Sequence, residues 1–424
     1  MQEVSQKWIA TNADAFTVRS FVTLQIHRNS NTGTLFVPPD RIMSYSHKFY
    51  GDMLSGEIPE ISVTAKINNN DGIYTGTLLT ESDFEHAKTD ILISFEVGDD
   101  DPEEEQNETI SGGRLYISSI EYDSRDRTIT LKLSDCLQFM NAKYNGLKKG
   151  WISQIVSDVV SQANDNSILP NTVITCLIDE DQTEKYQVDI DGETTLAETL
   201  QVCANASSCV FYVDRSGIIH IEPMSRTIQN YFINRDVQYT EPALTIDKAI
   251  NSVLVRYHDE ASALTEYDYV RKDQIGAQQT VSNPAIFFVF NAMSVARKAY
   301  RVLQENRQII SGEFRCDPRV DIFDVIQIES AERKLSIYDL ERMPLNTLER
   351  MTINELETNT TSIGNYCIIS LEMTFTGAWH GRFTARAVDD KNNSDLRTWG
   401  NLRALTWGKA REFSWDEVRG GEYT

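Results

Sequence analysis

The chain has 424 residues, 41% of them hydrophobic, with 63 acidic against 40 basic residues and a formal net charge of −23. That length accommodates roughly two to four domains with their own cores, and the hydrophobic content excludes an intrinsically disordered chain. The acidity argues against nucleic acid or an anionic membrane as a bound partner, while suiting a surface past which DNA slides without sticking.

From Ala15 to Met140 nearly every apolar segment alternates with period two, as in FVTLQIH, EISVTAKI, ILISFEV and TITLKLSD. Short alternating strands separated by Gly, Asn and Asp turns predict an antiparallel sandwich or barrel. Asn68-Asn69-Asn70-Asp71-Gly72 has the look of half a calcium loop but lacks the distal bidentate carboxylate, so a turn is expected there. The acidic stretch Asp99–Glu108 repels itself and is expected to be a solvated loop.

Around Gly150 the period changes. Trp151, Ile152, Ile155, Val156, Val159 and Val160 form one helical stripe, and Asn164–Asn171 breaks it. A second helix is predicted from Thr195, whose hydroxyl can form a capping box with Glu198, and Leu196, Leu200 and Cys203 would line its buried side. CVFYVD and GIIHIEP follow as a hairpin joined at Arg215-Ser216-Gly217. This stretch is predicted to be a small α/β domain between β regions.

The β pattern resumes at Leu244 and includes the apolar run Ala285–Phe290, expected as a fully buried strand. An amphipathic helix is then predicted from Asn291, with Asn291 or Ser294 as N-cap, a stripe of Met293, Ala296, Ala299, Tyr300 and Leu303, and Val295 and Val302 at its margin. After it, GEFRCDPRVDIFDVIQIES predicts two strands paired through an Asp317-Pro318 corner. The segment YCIISLEMTF closes the region. The fold class expected is α+β, mainly β: two antiparallel β-barrel domains with a small α/β domain between them. The boundaries are an N-terminal segment 1–14, a first barrel 15–145, the α/β domain 146–235, a second barrel 236–388 and a C-terminal tail 389–424. The second barrel carries an outer helix at 291–307 and an insert at 336–357.

That insert and the tail share a spacing of eight. Ile337, Leu345 and Ile353 recur at that interval, and so do Trp399, Trp407 and Trp415. Eight residues turn a helix through about 800°, so each set would drift around one continuous helix. Short turns or a coil of stacked turns fit better. These six residues are the candidate partner-docking positions, because aromatic and large apolar side chains dominate interface hot spots. A tail folded back on its own barrel is the alternative for the tryptophans.

No chemical signature competes with this structural reading. His27, His47, His86, His220, His258 and His380 are isolated in sequence, without a paired metal spacing. No nucleophile elbow, phosphate loop or dinucleotide fingerprint occurs, so no catalytic residue, metal or cofactor is expected. A glycosidase carboxylate pair has nothing in its spacing to select it among the acids. The six cysteines are scattered without C-x-x-C pairs and are expected as buried thiols of a protein made in a reducing compartment. The N-terminus carries no signal-peptide pattern, and no apolar run is long enough to insert in a membrane.

Several segments together resemble the phage tail hub family, whose members adapt tail tube to spike in phages and contractile injection systems. RIMSYSHKFYGDMLSGEIPEISVTAKINNNDG is similar to the opening of that family's first barrel. TTLAETLQVCANASSCVFYVDRSGIIHIEP is similar to its small α/β module. NSVLVRY looks like the start of the second barrel, and DPRVDIFDVIQI is similar to its D-P-x-x-x-x-x-D-x-I turn. The resemblance covers about Arg41 to Val388. It implies a structural, non-enzymatic virion protein made in the host cytoplasm. It further implies a homotrimer forming a pseudo-sixfold ring, tail-tube or distal tail proteins and a spike or fibre as partners, and a channel for DNA or a tape-measure protein. The octad insert and the Trp tail depart from the common pattern. A β-rich, carbohydrate-binding tail protein that recognises a host surface is the alternative expectation.

Overall fold

A computed structural model describes residues 20–30, 33–78, 82–97, 106–179, 186–190, 193–223, 228–233, 237–259, 263–270, 276–305, 307–331 and 361–388. The region of period-two alternation forms β1 (Ser20–His27), β2 (Thr34–Val37), β3 (Ile42–Tyr50), β4 (Glu60–Asn68), helix α1 (Ile73–Leu78), β5 (Lys88–Val97), β6 (Gln106–Asp123) and β7 (Thr128–Ser134). The middle stretch holds β8 (Lys149–Trp151), α2 (Ile152–Asp165), β9 (Cys176–Ile178), β10 (Gln187–Asp189), α3 (Leu196–Ala206), β11 (Val210–Val213), β12 (Ile219–Glu222) and β13 (Ile228–Ile233). Then come β14 (Ala243–Ile246), β15 (Ile250–His258), β16 (Leu264–Val270), β17 (Ala277–Phe287), α4 (Val289–Tyr300), β18 (Gln308–Phe314), β19 (Val325–Ala331), β20 (Thr361–Phe375) and β21 (Trp379–Ala387).

The chain is mainly β, as expected, and built on large sheets whose pairing is mostly antiparallel. Thirteen strands share the main sheet, in the order β14-β18-β21-β20-β3-β4-β7-β6-β5-β1-β2, with β19 also on β20 and β13 on β19. A second sheet runs β16-β15-β17-β10-β8, and a three-stranded one runs β11-β12-β9. Among the described residues no closed barrel forms: the main sheet ends openly at β2 and β14. The first β region and the last strands, most of the chain apart, are joined through β3 and β20. The middle stretch is divided too, because β8 and β10 extend the second sheet while β9, β11 and β12 form the third.

Alternation decides which side chains enter the core. Tyr45, His47 and Phe49 of β3 lie opposite Phe375, Met373 and Leu371 of β20 and face inward, as do Ile61, Val63 and Ala65 of β4. The intervening positions carry Ser44, Ser46 and Lys48 on the polar face, the division expected of an antiparallel sheet covered on one side. Asp135, at the end of β7, accepts from Ile61 N at 2.6 Å and Leu137 N at 2.8 Å, so one carboxylate ties a strand and caps the 3-10 turn after it.

The local signals in the middle stretch hold well. Helix α2 buries Ile152, Ile155, Val156 and Val159; Trp151 precedes it as an exposed N-cap. Helix α3 has the full capping box, with Glu198 N to Thr195 Oγ1 at 3.2 Å and Thr195 N to Glu198 Oε2 at 2.8 Å. Leu196, Leu200 and Cys203 are fully buried. Five of the six cysteines are buried and Cys176 is partly so, all as free thiols. Asn68–Gly72 is a turn in which Asn69 Oδ1 accepts from Tyr74 N at the start of α1.

Four local expectations are corrected. The run Ala285–Phe290 is not one buried strand: β17 stops at Phe287, Phe288 turns at φ 71°, and Phe290 is 73% exposed at the start of α4. Helix α4 therefore begins at Val289 rather than near Asn291, ends in a π turn at Arg301–Glu305, and has no side-chain N-cap. Asn291 is buried and donates instead to Gln187 O at 2.9 Å; of the expected stripe Ala296, Ala299 and Tyr300 are buried, joined by Ala292 and Val295, with Met293 at the edge. Strands β18 and β19 are not a pair: β18 lies on β21 and β19 on β20, because the Asp-Pro corner routes the chain to the other side of the β20–β21 hairpin. The expected acidic loop is shortened at its far end, since Gln106–Glu108 already belong to β6; its remaining acids lie outside the described residues. No helix among the described residues is long and apolar enough to cross a membrane.

Candidate functional site

The structural seam is β3 against β20. Strand β20 is long enough to take β19 along its first half and β3 along its second. The exchange occurs at a bulge between Ile368 and Ser370. Backbone groups exposed by that exchange are satisfied by two other segments: Phe323 N bonds Ile368 O, Ile368 N bonds Asp324 O, and Gly51 N bonds Ile369 O, all at 2.9–3.0 Å. Gly51 is required by proximity, since a Cβ there would stand 2.7 Å from Phe323 Cζ.

On the polar face the seam carries a row of alternating charge. Lys48, Glu372, Arg382 and Glu313 lie on β3, β20, β21 and β18 in matched register. Lys48 Nζ is 3.2 Å from Glu372, and Arg382 Nη2 is 2.6 Å from Glu313. Such directly opposed unlike charges favour one register over its neighbours. The Arg382 hydrogen bond holds the Glu313 carboxyl below its ordinary range. On the inner face His47 sits between Val63 and Met373, fully buried. Its Nδ1 is 2.9 Å from the Tyr45 hydroxyl, and its ring lies 3.9 Å from that of Phe49. Nε2 has no partner among the described residues. Burial, with the nearby Arg215 charge, holds the imidazole well below its usual pKa, so it is neutral.

Arg215 keys the third sheet into this seam. It occupies the β11–β12 turn, shaped by Asp214 Oδ1 accepting from Ser216 N and Ile218 N, and by Gly217 at φ 79°. Its backbone carbonyl accepts from Arg114 N of β6 at 2.9 Å. Its guanidinium, 5% exposed, donates to Pro318 O and Val320 O at 2.6 Å, to Asp321 Oδ2 at 3.0 Å and to Ser111 O at 3.3 Å. The planar fork of arginine suits this many fixed acceptors, which a lysine could not reach together. Beside it, Arg319 and Asp317 form a buried two-pronged pair, with Nη2 2.6 Å from Oδ2. The Asp-Pro corner is thus a socket for a hairpin tip.

A second junction ties the loop after β3 to α3 and α4. Ser55 Oγ donates to Cys209 O at 2.7 Å, Gln201 Nε2 to Ser55 O at 2.5 Å, and Asn205 Nδ2 to Leu54 O at 2.7 Å. The Lys298 ammonium donates to the same Cys209 carbonyl at 2.8 Å, and burial pushes its pKa down to about 8. A cavity of about 320 Å³ opens beside these groups, between Asp52, Gln201, Ser282 and Lys298.

Chemically, the charged groups gathered here make structural bonds. Among the described residues no three His, Cys, Asp or Glu side chains are placed to hold a metal ion. Neither Arg215 nor His47 belongs to a recognisable motif, although the parity of SYSHKFY puts His47 with Tyr45 and Phe49. The six candidate docking residues, Ile337, Leu345, Ile353, Trp399, Trp407 and Trp415, all lie outside the described residues.

No protein-family model and no curated protein sequence matches the chain. Solved structures do. A tail protein from Neisseria meningitidis MC58 matches at a TM-score of 0.53 and 9% identity, over 88% of this chain and 97% of that one. The 43 kDa tail protein of prophage MuSo2 from Shewanella oneidensis matches at 0.51 and 11%, over 86% and 98%. Prophage tail protein gp18 from Listeria monocytogenes EGD-e matches at 0.50 and 11%, over 93% and 100%. At such identities the likeness is one of fold. The resemblance to phage tail proteins found in the sequence is borne out at that level, across nearly the whole of each structure.

Proposed function

We propose that this chain, which has the fold of phage tail proteins, is a structural hub of a phage tail tip or baseplate. In this reading three copies form a pseudo-sixfold ring, each supplying two barrel-like β walls. The ring joins the tail tube above to a spike or fibre below and leaves a channel for DNA or a tape-measure protein. The walls are assigned to 15–145 and 236–388 and the α/β unit to 146–235, with β8 and β10 of that unit lent to the second sheet and β13 to the main one. The octad residues Ile337, Leu345 and Ile353 dock a neighbouring tail subunit. The protein is made in the host cytoplasm, ends in the virion and has no enzymatic task.

The observation that carries the reading is the seam. Two β regions separated by most of the chain are held in one sheet by β3 and β20, and the socket around Arg215 fixes the α/β unit against both. That spends the buried polar groups on rigidity, which suits a wall under load better than a site that must open and close.

Purified protein examined by light scattering and negative-stain microscopy tests the reading. A mass three times that of one chain and rings with a central hole are expected. Compact monomers at all concentrations, even with tube and spike proteins added, would overturn it.

A further inference from the structure

Among the described residues the main sheet has an uncovered edge. Across it, one inward-facing row runs Ile368, Ala385, Ile310 and Leu244, on β20, β21, β18 and β14. The first three are completely buried, whereas Leu244 is 52% exposed. Ile246, two residues on and on the same face, is 58% exposed. Among the described residues β14 pairs only with β18, so its outer edge is open as well as its apolar face. An open edge with uncovered apolar side chains is a template for unwanted strand pairing.

The described chain ends beside this edge. Arg386 lies opposite Ile309, which lies opposite Thr245, and Arg386 Nη2 is 2.8 Å from Asp247 just past β14. Val388, the last described residue, is therefore about two strand spacings, or ~10 Å, from β14. Ten residues separate Val388 from Trp399, a reach of up to ~35 Å when extended. The stretch Arg397–Arg411 contains Arg397, Arg403, Lys409 and Arg411 and no acid, in a chain of net charge −23. At the near end of β14 the edge it would meet carries the exposed Glu241, while Asp247 at the far end is already paired with Arg386 and followed by Lys248. A spacing of eight drifts around a helix but is even, so in a strand Trp399 and Trp407 fall on one face together with Leu405.

We infer that the segment around Leu405–Trp407 adds to β14 of its own chain as a further strand. Leu405 and Trp407, two residues apart on one face, then cover Leu244 and Ile246, which are spaced the same way. A tether of this length keeps the segment at an effective concentration in the millimolar range, favouring its own chain over a neighbour. This goes beyond the hub reading and does not depend on it.

Thr245→Cys with Thr406→Cys tests the pairing, because these positions are opposed whether the added strand runs parallel or antiparallel. Full-length chain would be oxidised as a mixture of isotopically light and heavy protein, and the cross-linked peptides weighed. The expected result is a 245–406 disulfide within single chains, unchanged by tenfold dilution. Cross-links joining light to heavy chains would instead seat the segment on another copy and overturn the inference. So would the absence of any 245–406 link. As an independent readout, Leu405→Asp with Trp407→Asp should speed hydrogen exchange at the β14 amides at least tenfold, and unchanged exchange would equally overturn it.

Discussion

Replacing Arg215 with alanine is the sharpest perturbation of the seam. The side chain is 5% exposed and its guanidinium reaches three backbone carbonyls and the Asp321 carboxylate. Alanine would leave those acceptors desolvated and would open space beside Phe49, over which the guanidinium sits at 5.5 Å. Breaking a buried charged pair by removing one partner costs about 3–5 kcal/mol, much of it from the groups left behind. Asp321 is less enclosed, at 23% side-chain exposure, so Asp321→Ala should cost only about 1–2 kcal/mol. The difference assigns most of the loss to the carbonyls of Pro318 and Val320 rather than to the ion pair. Arg215→Lys keeps the charge without the fork and should recover less than half of the deficit. Urea unfolding followed by tryptophan fluorescence reads all three midpoints. An Arg215→Ala midpoint within about 1 kcal/mol of the parent, or one matched by Asp321→Ala, would refute the socket.

Other consequences follow from the same geometry. His47 is held neutral in the fold, while in the unfolded chain it takes a proton as pH falls through about 6.5. The unfolded state then binds more protons, so stability should decline as pH drops below about 6.5, and His47→Gln should flatten that decline in a pH series of melting temperatures. Gly51→Ala sets a Cβ against Phe323, whose own φ is 61°, and should cost about 1–3 kcal/mol by denaturant titration. Phe287 and Phe290 should part company: Phe287→Ala, in the core, should cost about 3–5 kcal/mol. Phe290→Ala, at an exposed position, should stay within about 0.5 kcal/mol, and equal losses would return the run to a buried strand.

What could be read from the sequence was what a few neighbouring residues decide. Thr195 and Glu198 specify their capping box three positions apart, Gly217 permits its turn alone, and the α2 face repeats within two helical turns. Pairing partners are another matter. The alternation of SYSHKFY says that one face is buried, but nothing in it prefers β20 to any other alternating strand. An arginine in a hairpin turn resembles any solvated turn residue until the Asp-Pro corner closes over it. At Phe288 the apolar run suggested continuity, yet the demand of packing α4 back onto β15 ended the strand one residue earlier and put a bulky side chain at positive φ. The spacing of eight was visible, but its compatibility with a strand acquired meaning only once an open strand edge lay beside Val388.

The charge of the chain also takes on a narrower sense. Acidity alone suggested a surface past which DNA slides without sticking, and on the polar face of the main sheet several acids stand in pairs with cations. Lys48, Lys132, Arg382 and Arg386 each stand within 3.2 Å of a carboxylate, from Glu372, Glu121, Glu313 and Asp247 respectively. Lys66 has Asp126 at 3.6 Å. Between these pairs lie Ser46, Ser62, Thr64 and Thr374, which are uncharged. Cations and acids engaged with one another in this way weaken both the attraction and the repulsion that a polyanion beside the face would meet. If this face borders the channel of the proposed ring, cross-strand compensation would lower its pull on DNA. The Lys48–Glu372 pair, which favours the register of the β3–β20 seam, is part of that same compensation.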